Sequence, residues 1–469
     1  MKTIPILPVT SLPGNPMDTI CEFKWNYPIF QMDRGEFRSC CRTPSKQVPE
    51  ELLQEKGIDA FLNNDEIIQS RLDLINGVRH IDCQSCWNLE DRGMKSPREP
   101  ENFWNFLKRE KVIPRDMEYN EENVRVELGK ISSVDHPFLQ AKKPYMMEIS
   151  LGNTCDLKCM YCNHHYSTQW ATELIKLGEI TQEQYDREFP KTAPSYEAKF
   201  WEWFNNVGSW SIHRINMIGG EPLIIPEFYE YVEKMTARFD QIMPFKKLKP
   251  TLCIVTNMHT PANYFNRFIS RLPNITKVFN LEILISMESL ENRAEYIRNG
   301  ISWDRFNSNV NKILAVKDAE FQIGFLMSVN VLSIATTKNF VEYATNLSDQ
   351  YQRPVGLKQN IVNFPKWQNP MILPPEFSKY LYETIEYMEQ HVSRIPNPTD
   401  FHGRYDQYMI FLKSLADSMA NNDGDYTEDR KKFYEWYNTF DQRRNLNLVE
   451  TFPEYTEFYN MCASLNDNR

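Results

Sequence analysis

Eight of the ten cysteines of this chain fall within its first 162 residues, in tight pairs and triples. The densest chemistry lies in Cys155-Asp-Leu-Lys-Cys159-Met-Tyr-Cys162, which spaces three thiols as C-x3-C-x2-C. Cysteine thiolates hold iron–sulfur clusters, and a cubane offers four ligand positions. Three thiols on one loop leave the fourth position open, and an open metal position is where a reagent binds. The alternative is a zinc site completed by His164 or His165, although both histidines also read as ordinary polar loop residues. A second set comprises Cys21, Cys40, Cys41, Cys83 and Cys86, with Cys83 and Cys86 in a C-x2-C knuckle. Four of these five thiols suit either structural zinc or an iron–sulfur group. Cys253 sits in an apolar run and reads as buried filler, and Cys462 carries no assigned role.

Composition narrows the classes that remain. A chain of 469 residues with 41% apolar and 13% aromatic content can bury a sizeable core. Lys plus Arg number 53 against 63 Asp plus Glu, a net charge of −10 that argues against a nucleic-acid partner held by global charge. No apolar run approaches the ~18 residues of a membrane span, and the proline-broken N-terminus lacks a signal-peptide core. The expectation is a cytoplasmic protein without a membrane partner, in which clustered thiols serve metals or redox chemistry rather than disulfides. The sequence holds no H-E-x-x-H, P-loop, G-x-S-x-G or G-x-G-x-x-G.

The elements around the thiols change in texture along the chain. Residues 1–100 are cysteine-rich and irregular, apart from helical spacing within 49–78, and 101–142 form a charge-rich connector. Over 143–370 short strand-like runs alternate with helical ones. The strands are expected at Tyr145–Leu151, Arg214–Ile218, Thr251–Thr256, Leu281–Met287, Phe321–Val331 and Val355–Val362. Strands separated by helices imply parallel βαβ units, so the expected class is α/β with a partial (β/α)6 barrel. Residues 163–195 are a polar insertion, and 371–469 read as a helical region with an apolar stripe through Phe377, Leu381, Ile385 and Met388.

The run Ile149-Ser-Leu-Gly-Asn-Thr-Cys155 through Cys162 resembles the signature loop of radical S-adenosylmethionine (SAM) enzymes. The resemblance implies a [4Fe-4S] cluster on Cys155, Cys159 and Cys162, with SAM on the fourth iron and Tyr161 near the adenine. It implies reductive cleavage of SAM to methionine and a 5′-deoxyadenosyl radical, which abstracts hydrogen from substrate. Gly219-Gly220-Glu221-Pro222 matches the family's GGEP element, expected at the methionyl amino group. Glycines admit close backbone approach, and Glu221 can accept a hydrogen bond from an ammonium. Ser286 and Arg298 reproduce a serine and arginine spacing expected to meet the SAM ribose or carboxylate, although Glu288-Ser289 replaces the usual Asp-Gly. Thr256-Asn257-Met258 resembles Thr-Asn-Gly with the glycine replaced, and Asn330 and Val362 occupy strand ends that often meet SAM. Such elements gather at C-terminal strand ends, where barrel active sites assemble.

The N-terminal cysteines, with Trp25, Gly35, Trp87, Glu90, Gly93, Ser96, Arg98 and Asn102, resemble a twitch (truncated SPASM) module. Proteins carrying it at this end are frequent in bacteriophage genomes, which would place this one in the host cytoplasm. The resemblance implies an auxiliary [4Fe-4S] cluster on Cys21, Cys83, Cys86 and either Cys40 or Cys41. It also implies a peptide or protein substrate and a one-electron donor such as flavodoxin or ferredoxin. A small-molecule or nucleotide substrate is the second reading, and a zinc-stabilised interaction protein without chemistry is the third.

Overall fold

The computed structural model describes residues 14–91, 96, 98, 100–117, 120–189, 194–391 and 404–467; Gly93 of the twitch-like pattern lies outside them. The chain is a mixed α/β protein with a mostly parallel sheet and many helices. Its strands are β1 (Ile29–Gln31), β2 (Glu36–Arg38), β3 (Lys46–Gln47), β4 (Met146–Ser150), β5 (Lys158–Cys159), β6 (Arg214–Ile218), β7 (Thr251–Thr256), β8 (Asn280–Ser286), β9 (Arg298–Asn299), β10 (Phe321–Val329) and β11 (Val355–Ile361). The strands expected at Arg214–Ile218 and Thr251–Thr256 form with those bounds. Two compact units divide the chain. One comprises Met1–Gly152, Asp186–Met217 and Ala237–Thr251; the other comprises Asn153–Tyr185, Ile218–Thr236 and Leu252–Arg469.

In the first unit the strand order runs β6-β4-β1-β2-β3. β1 lies parallel to β4, with Phe30 opposite Ile149, and β2 and β3 return antiparallel. These three N-terminal strands were not expected, because two or three residues are too few to show an alternating pattern. Aromatic packing fills the core: the Trp25 ring stacks on Phe138 at 5.4 Å and meets Phe103 edge-on at 5.6 Å. The Trp25 indole also donates to the Phe138 carbonyl at 2.8 Å. Helix Asp65–Ile75 starts at Asn64, whose side chain accepts from the Ile67 amide, with Asp65 and Glu66 favourable at its positive end. It delivers buried Arg71, which donates to the carbonyls of Lys24, Leu62 and Leu139.

In the second unit the order is β7-β8-β10-β11, and β10 pairs in parallel with both β8 and β11. Ile283, Leu284 and Ile285 of β8 are all buried. Consecutive buried residues mean a strand covered on both faces, as parallel sheets require. Cys253 packs against Leu284, in keeping with a filler role. Helices Trp303–Leu314 and Thr337–Tyr351 make the crossovers. Beyond β11 the described residues form helices without strands, including Ser378–His391, Tyr405–Ala420, Thr427–Arg444 and Thr456–Asp467. They are tied to the turns and helices that flank the sheet by polar contacts: Tyr437 donates to Gln368 at 2.8 Å, Tyr296 to Asp441 at 2.7 Å, and Arg293 grips Glu454 through two hydrogen bonds.

Candidate active site

The three-cysteine loop belongs wholly to the second unit, and its backbone is held on several sides. β5 pairs antiparallel with β9, which sets Cys159 opposite Arg298, and the Met160 amide donates to the Ile297 carbonyl at 2.8 Å. Ser167 caps helix Thr168–Lys176 and donates to the Leu157 carbonyl at 2.6 Å. The Trp170 indole donates to the Cys159 carbonyl at 3.0 Å. From helix Thr427–Arg444, Arg444 reaches the Lys158 carbonyl, the Met160 sulfur at 3.2 Å and Glu173 at 3.0 Å. These bonds satisfy carbonyls that an irregular loop would otherwise leave unpaired.

All three thiols line one cavity of about 210 Å³, together with Tyr161, Gly219 and Gly220. Burial pushes the Cys155 thiol well up, Cys159 up to about 12 and Cys162 up to about 11. Near neutral pH the three are therefore neutral thiols until a metal displaces their protons.

The Gly-Gly turn after β6 closes on the loop from the other side. The Glu221 amide donates to the Thr154 carbonyl at 2.8 Å. A Cβ on Gly220 would lie 2.3 Å from that same oxygen, so a side chain cannot fit there. Gly219 has φ of 143°, which also favours glycine. Glu221 follows the two glycines. It is fully buried, is not among the cavity-lining residues, and accepts from the Leu223 amide, the Thr256 hydroxyl and the Asn257 amide at 3.1, 2.7 and 2.5 Å. Burial raises its carboxyl to about 7 against the pull of those donors. Its carboxylate joins the Gly-Gly turn to the end of β7. Pro222 is buried at the start of a 3-10 turn and also lies off the cavity.

The end of β7 holds the loop in turn. Asn257 lines the cavity and donates to Asp156 at 2.9 Å, while the His259 ring meets the other Asp156 oxygen at 2.7 Å. The opposite ring nitrogen of His259 accepts from the Ser302 amide at 3.0 Å, which leaves Nδ1 as the protonated nitrogen. Met258 stands where glycine was expected, and it adopts the left-handed backbone glycine would have taken, with φ of 55°. That conformation costs a non-glycine residue about 1–2 kcal/mol. It is held by the Thr256 hydroxyl on the Met258 amide and by Asn309 donating to the Met258 carbonyl.

Ser286 and Arg298 both line the cavity. Arg298 is not free, however: it is engaged by fully buried Glu288 through contacts of 3.1, 3.2 and 2.5 Å. Tyr161 donates to the same carboxylate at 3.1 Å. Asn330 spends its side chain on the Ser328 carbonyl and the Leu332 amide, in a turn just past β10. Val362 lies just past β11, its amide bonded to the Val329 carbonyl, and neither residue lines the cavity. Sequence reasoning missed Ser328, which does line it. The available signal was a serine near the end of a mostly apolar strand.

In the first unit four of the five N-terminal thiols influence one another. Burial raises the Cys21 thiol, with Cys40, Cys83 and Cys86 adding to the shift. Cys40 is lowered by the Cys41 thiol donating to it and by the Arg42 amide, 3.4 Å from its sulfur. Cys41 is raised by that same bond, and besides Cys40 it faces Glu148 and Tyr27 instead of the other three cysteines. Around them Trp87 is sandwiched by Arg98 at 4.1 Å and Arg79 at 5.2 Å, and Glu90 grips Arg98. Buried Lys24 pairs with Asp82 at 3.1 Å, which ties the Cys21 turn to the Cys83 segment.

No known family's sequence profile matches the chain, and no curated protein matches it. Among solved structures it is similar to anSMEcpe with bound S-adenosylmethionine, with 15% identity and a TM-score of 0.34 over 53% of this chain and 62% of that one. Streptococcus suis SuiB bound to S-adenosylmethionine is 12% identical, with a TM-score of 0.36 over 77% and 68%. SuiB bound to its precursor peptide SuiA is 12% identical, with a TM-score of 0.35 over 78% and 68%. The chain thus spans about three fifths of the length of the first of these. At such identities and scores neither fold nor function follows from the likeness, and the geometry of the site has to carry the functional reading.

Proposed function

We propose that this chain is a radical SAM enzyme whose Cys155, Cys159 and Cys162 hold a [4Fe-4S] cluster. The observation that carries the reading is the convergence of these three thiols and the Gly219-Gly220 turn on one cavity, with no fourth cysteine lining it. The donor set fits the group, since three soft sulfur ligands suit iron–sulfur and leave one position open. When bound and reduced, that cluster supplies the electron that splits SAM into methionine and a 5′-deoxyadenosyl radical. The protein's share is to position and exclude water. The Gly-Gly backbone gives close approach, Ser286, Ser328 and Asn257 present polar groups, and Tyr161 is held by Glu288.

The N-terminal thiols support an auxiliary [4Fe-4S] cluster on Cys21, Cys40, Cys83 and Cys86. Between the two adjacent candidates, Cys40 is favoured because it shares its surroundings with the other three. The substrate class in this reading is a peptide or protein, following the resemblance of the module, with a flavodoxin or ferredoxin as electron donor. The test is anaerobic reconstitution followed by reduction with dithionite in the presence of SAM. The parent protein is expected to contain iron and acid-labile sulfide and to form 5′-deoxyadenosine, and Cys159→Ala is expected to form none. Equal product from both proteins, or a colourless zinc protein, would overturn the reading.

A further inference from the structure

Among the described residues Arg298 is the one guanidinium lining the cavity of the cysteine loop, and its surroundings are unusual for an anion receptor. Two of its nitrogens, Nε and Nη2, are spent on Glu288, a carboxylate with no exposure to solvent. The pair is buried on both sides, at 4% and 0% exposure. The remaining nitrogen, Nη1, lies 3.9 Å from the Cys159 sulfur. The backbone enforces this approach. Cys159 and Arg298 are direct partners in the β5–β9 ribbon, so the two side chains start from facing positions. Gly300 follows at φ of 101°, where an added Cβ would meet the Asp156 carbonyl at 3.1 Å, so the ribbon lies tight against the loop. Glu288 is fixed in its turn by the Tyr161 hydroxyl. A guanidinium clamped by a buried carboxylate cannot swing away to a ligand without stranding that carboxylate as an unpaired buried charge.

We propose that Arg298 is a positioning residue of the cluster rather than a receptor for the SAM carboxylate: held by Glu288, it donates to the Cys159 thiolate and sets the cluster's reduction potential. Hydrogen bonds and charge beside ligand sulfurs are among the levers that tune such potentials. Positive charge next to a thiolate stabilises the more negative, reduced state and raises the potential. The Glu288 carboxylate partly offsets that charge, so the two residues act with opposite sign. This inference rests on the loop cysteines holding a cluster, and the experiment separates the two ideas.

The test is a redox titration with dithionite as one-electron reductant, followed by electron paramagnetic resonance. It uses full-length reconstituted protein in which the N-terminal cysteines are retained. SAM binding is measured in parallel from its change of the reduced-cluster spectrum. Arg298→Gln is expected to lower the potential of the SAM-responsive cluster by at least a tenfold change in reduction equilibrium, which for one electron is about 59 mV. Glu288→Gln is expected to raise it, and SAM affinity is expected to change less than threefold in both. If Arg298→Gln fails to load iron, Glu288→Gln carries the test alone, because it keeps the guanidinium and removes only the offsetting charge. Unchanged potentials, shifts of the same sign, or a potential held constant while SAM affinity falls tenfold would overturn the inference. A parent protein that binds no cluster at the loop would instead overturn the proposed function.

Discussion

Replacing Gly220 by alanine probes the closest approach in the site. The new Cβ would sit 2.3 Å from the Thr154 carbonyl oxygen, whereas ordinary contact begins at 3.4 Å. The Gly-Gly turn and the cysteine loop must therefore separate by about 1 Å. That movement stretches the bond from the Glu221 amide to the same oxygen, now 2.8 Å, beyond hydrogen-bonding range. A buried pair left unmade costs about 1–3 kcal/mol. The entropic gain of alanine over glycine in the unfolded chain returns about 0.4–1 kcal/mol. The expected net loss is roughly 1–2 kcal/mol, or a fall of roughly 2–8 °C in melting temperature for a unit of this size. Calorimetry on the metal-free protein measures it, and iron and sulfide per chain after reconstitution should drop in step as Thr154 moves next to Cys155. Gly129→Ala is the control: its Cβ meets nothing within 4 Å, so iron loading should match the parent and the melting temperature should hold or rise slightly. A Gly220→Ala protein that melts within a degree of the parent and loads as much iron would refute the steric reasoning.

Other outcomes follow from the same geometry. Arg71→Met should lower the unfolding free energy of the first unit, read from a urea titration, by about 3 kcal/mol, because it strands buried carbonyls from Lys24, Leu62 and Leu139. Arg444→Ala should cut iron retention at the loop after gel filtration while leaving helical content unchanged by circular dichroism, since Arg444 is a clasp on Lys158, Met160 and Glu173. The metal-free protein should lose stability as pH rises from about 9 to about 12. Burial raises the Cys159 thiol from 9.0 to about 12, so in that window the folded chain holds a proton that the unfolded chain has released. Urea unfolding at pH 8, 9 and 10 measures this, and Cys159→Ser should flatten the slope.

The cysteine loop and the Gly-Gly turn were legible in the sequence because thiol spacing and paired glycines are local signals. The partners of those residues were not. Glu221 has the charge to meet an ammonium, and nothing in its neighbourhood along the chain shows that Thr256 and Asn257 consume it. Asn330 and Val362 were placed on strand ends, yet β10 and β11 stop one residue short of each, and Asn330 turns back on its own loop. The replacement of glycine by Met258 suggested a departure from the pattern, although the backbone keeps the left-handed turn and accommodates the side chain. The choice between Cys40 and Cys41 was undetermined by spacing, since adjacent residues differ only in where their side chains point. The strands β1 to β3 were invisible because pairing, not periodicity, defines them.

The β5–β9 ribbon also constrains the order of events during synthesis. Cys159 waits for a partner 139 residues downstream, and the Lys158 carbonyl for one 286 residues downstream. While the chain emerges N-terminus first, Ser167 and Trp170 are at hand to shape the loop early, but its contacts with Arg298 and Arg444 come much later. If the loop holds a cluster as proposed, one delivered before Arg298 is made would meet a loop not yet paired with β9. The N-terminal thiols differ in this respect. Their last member, Cys86, is made before the loop begins, but the β4 strand that pairs with β1 arrives only at Met146.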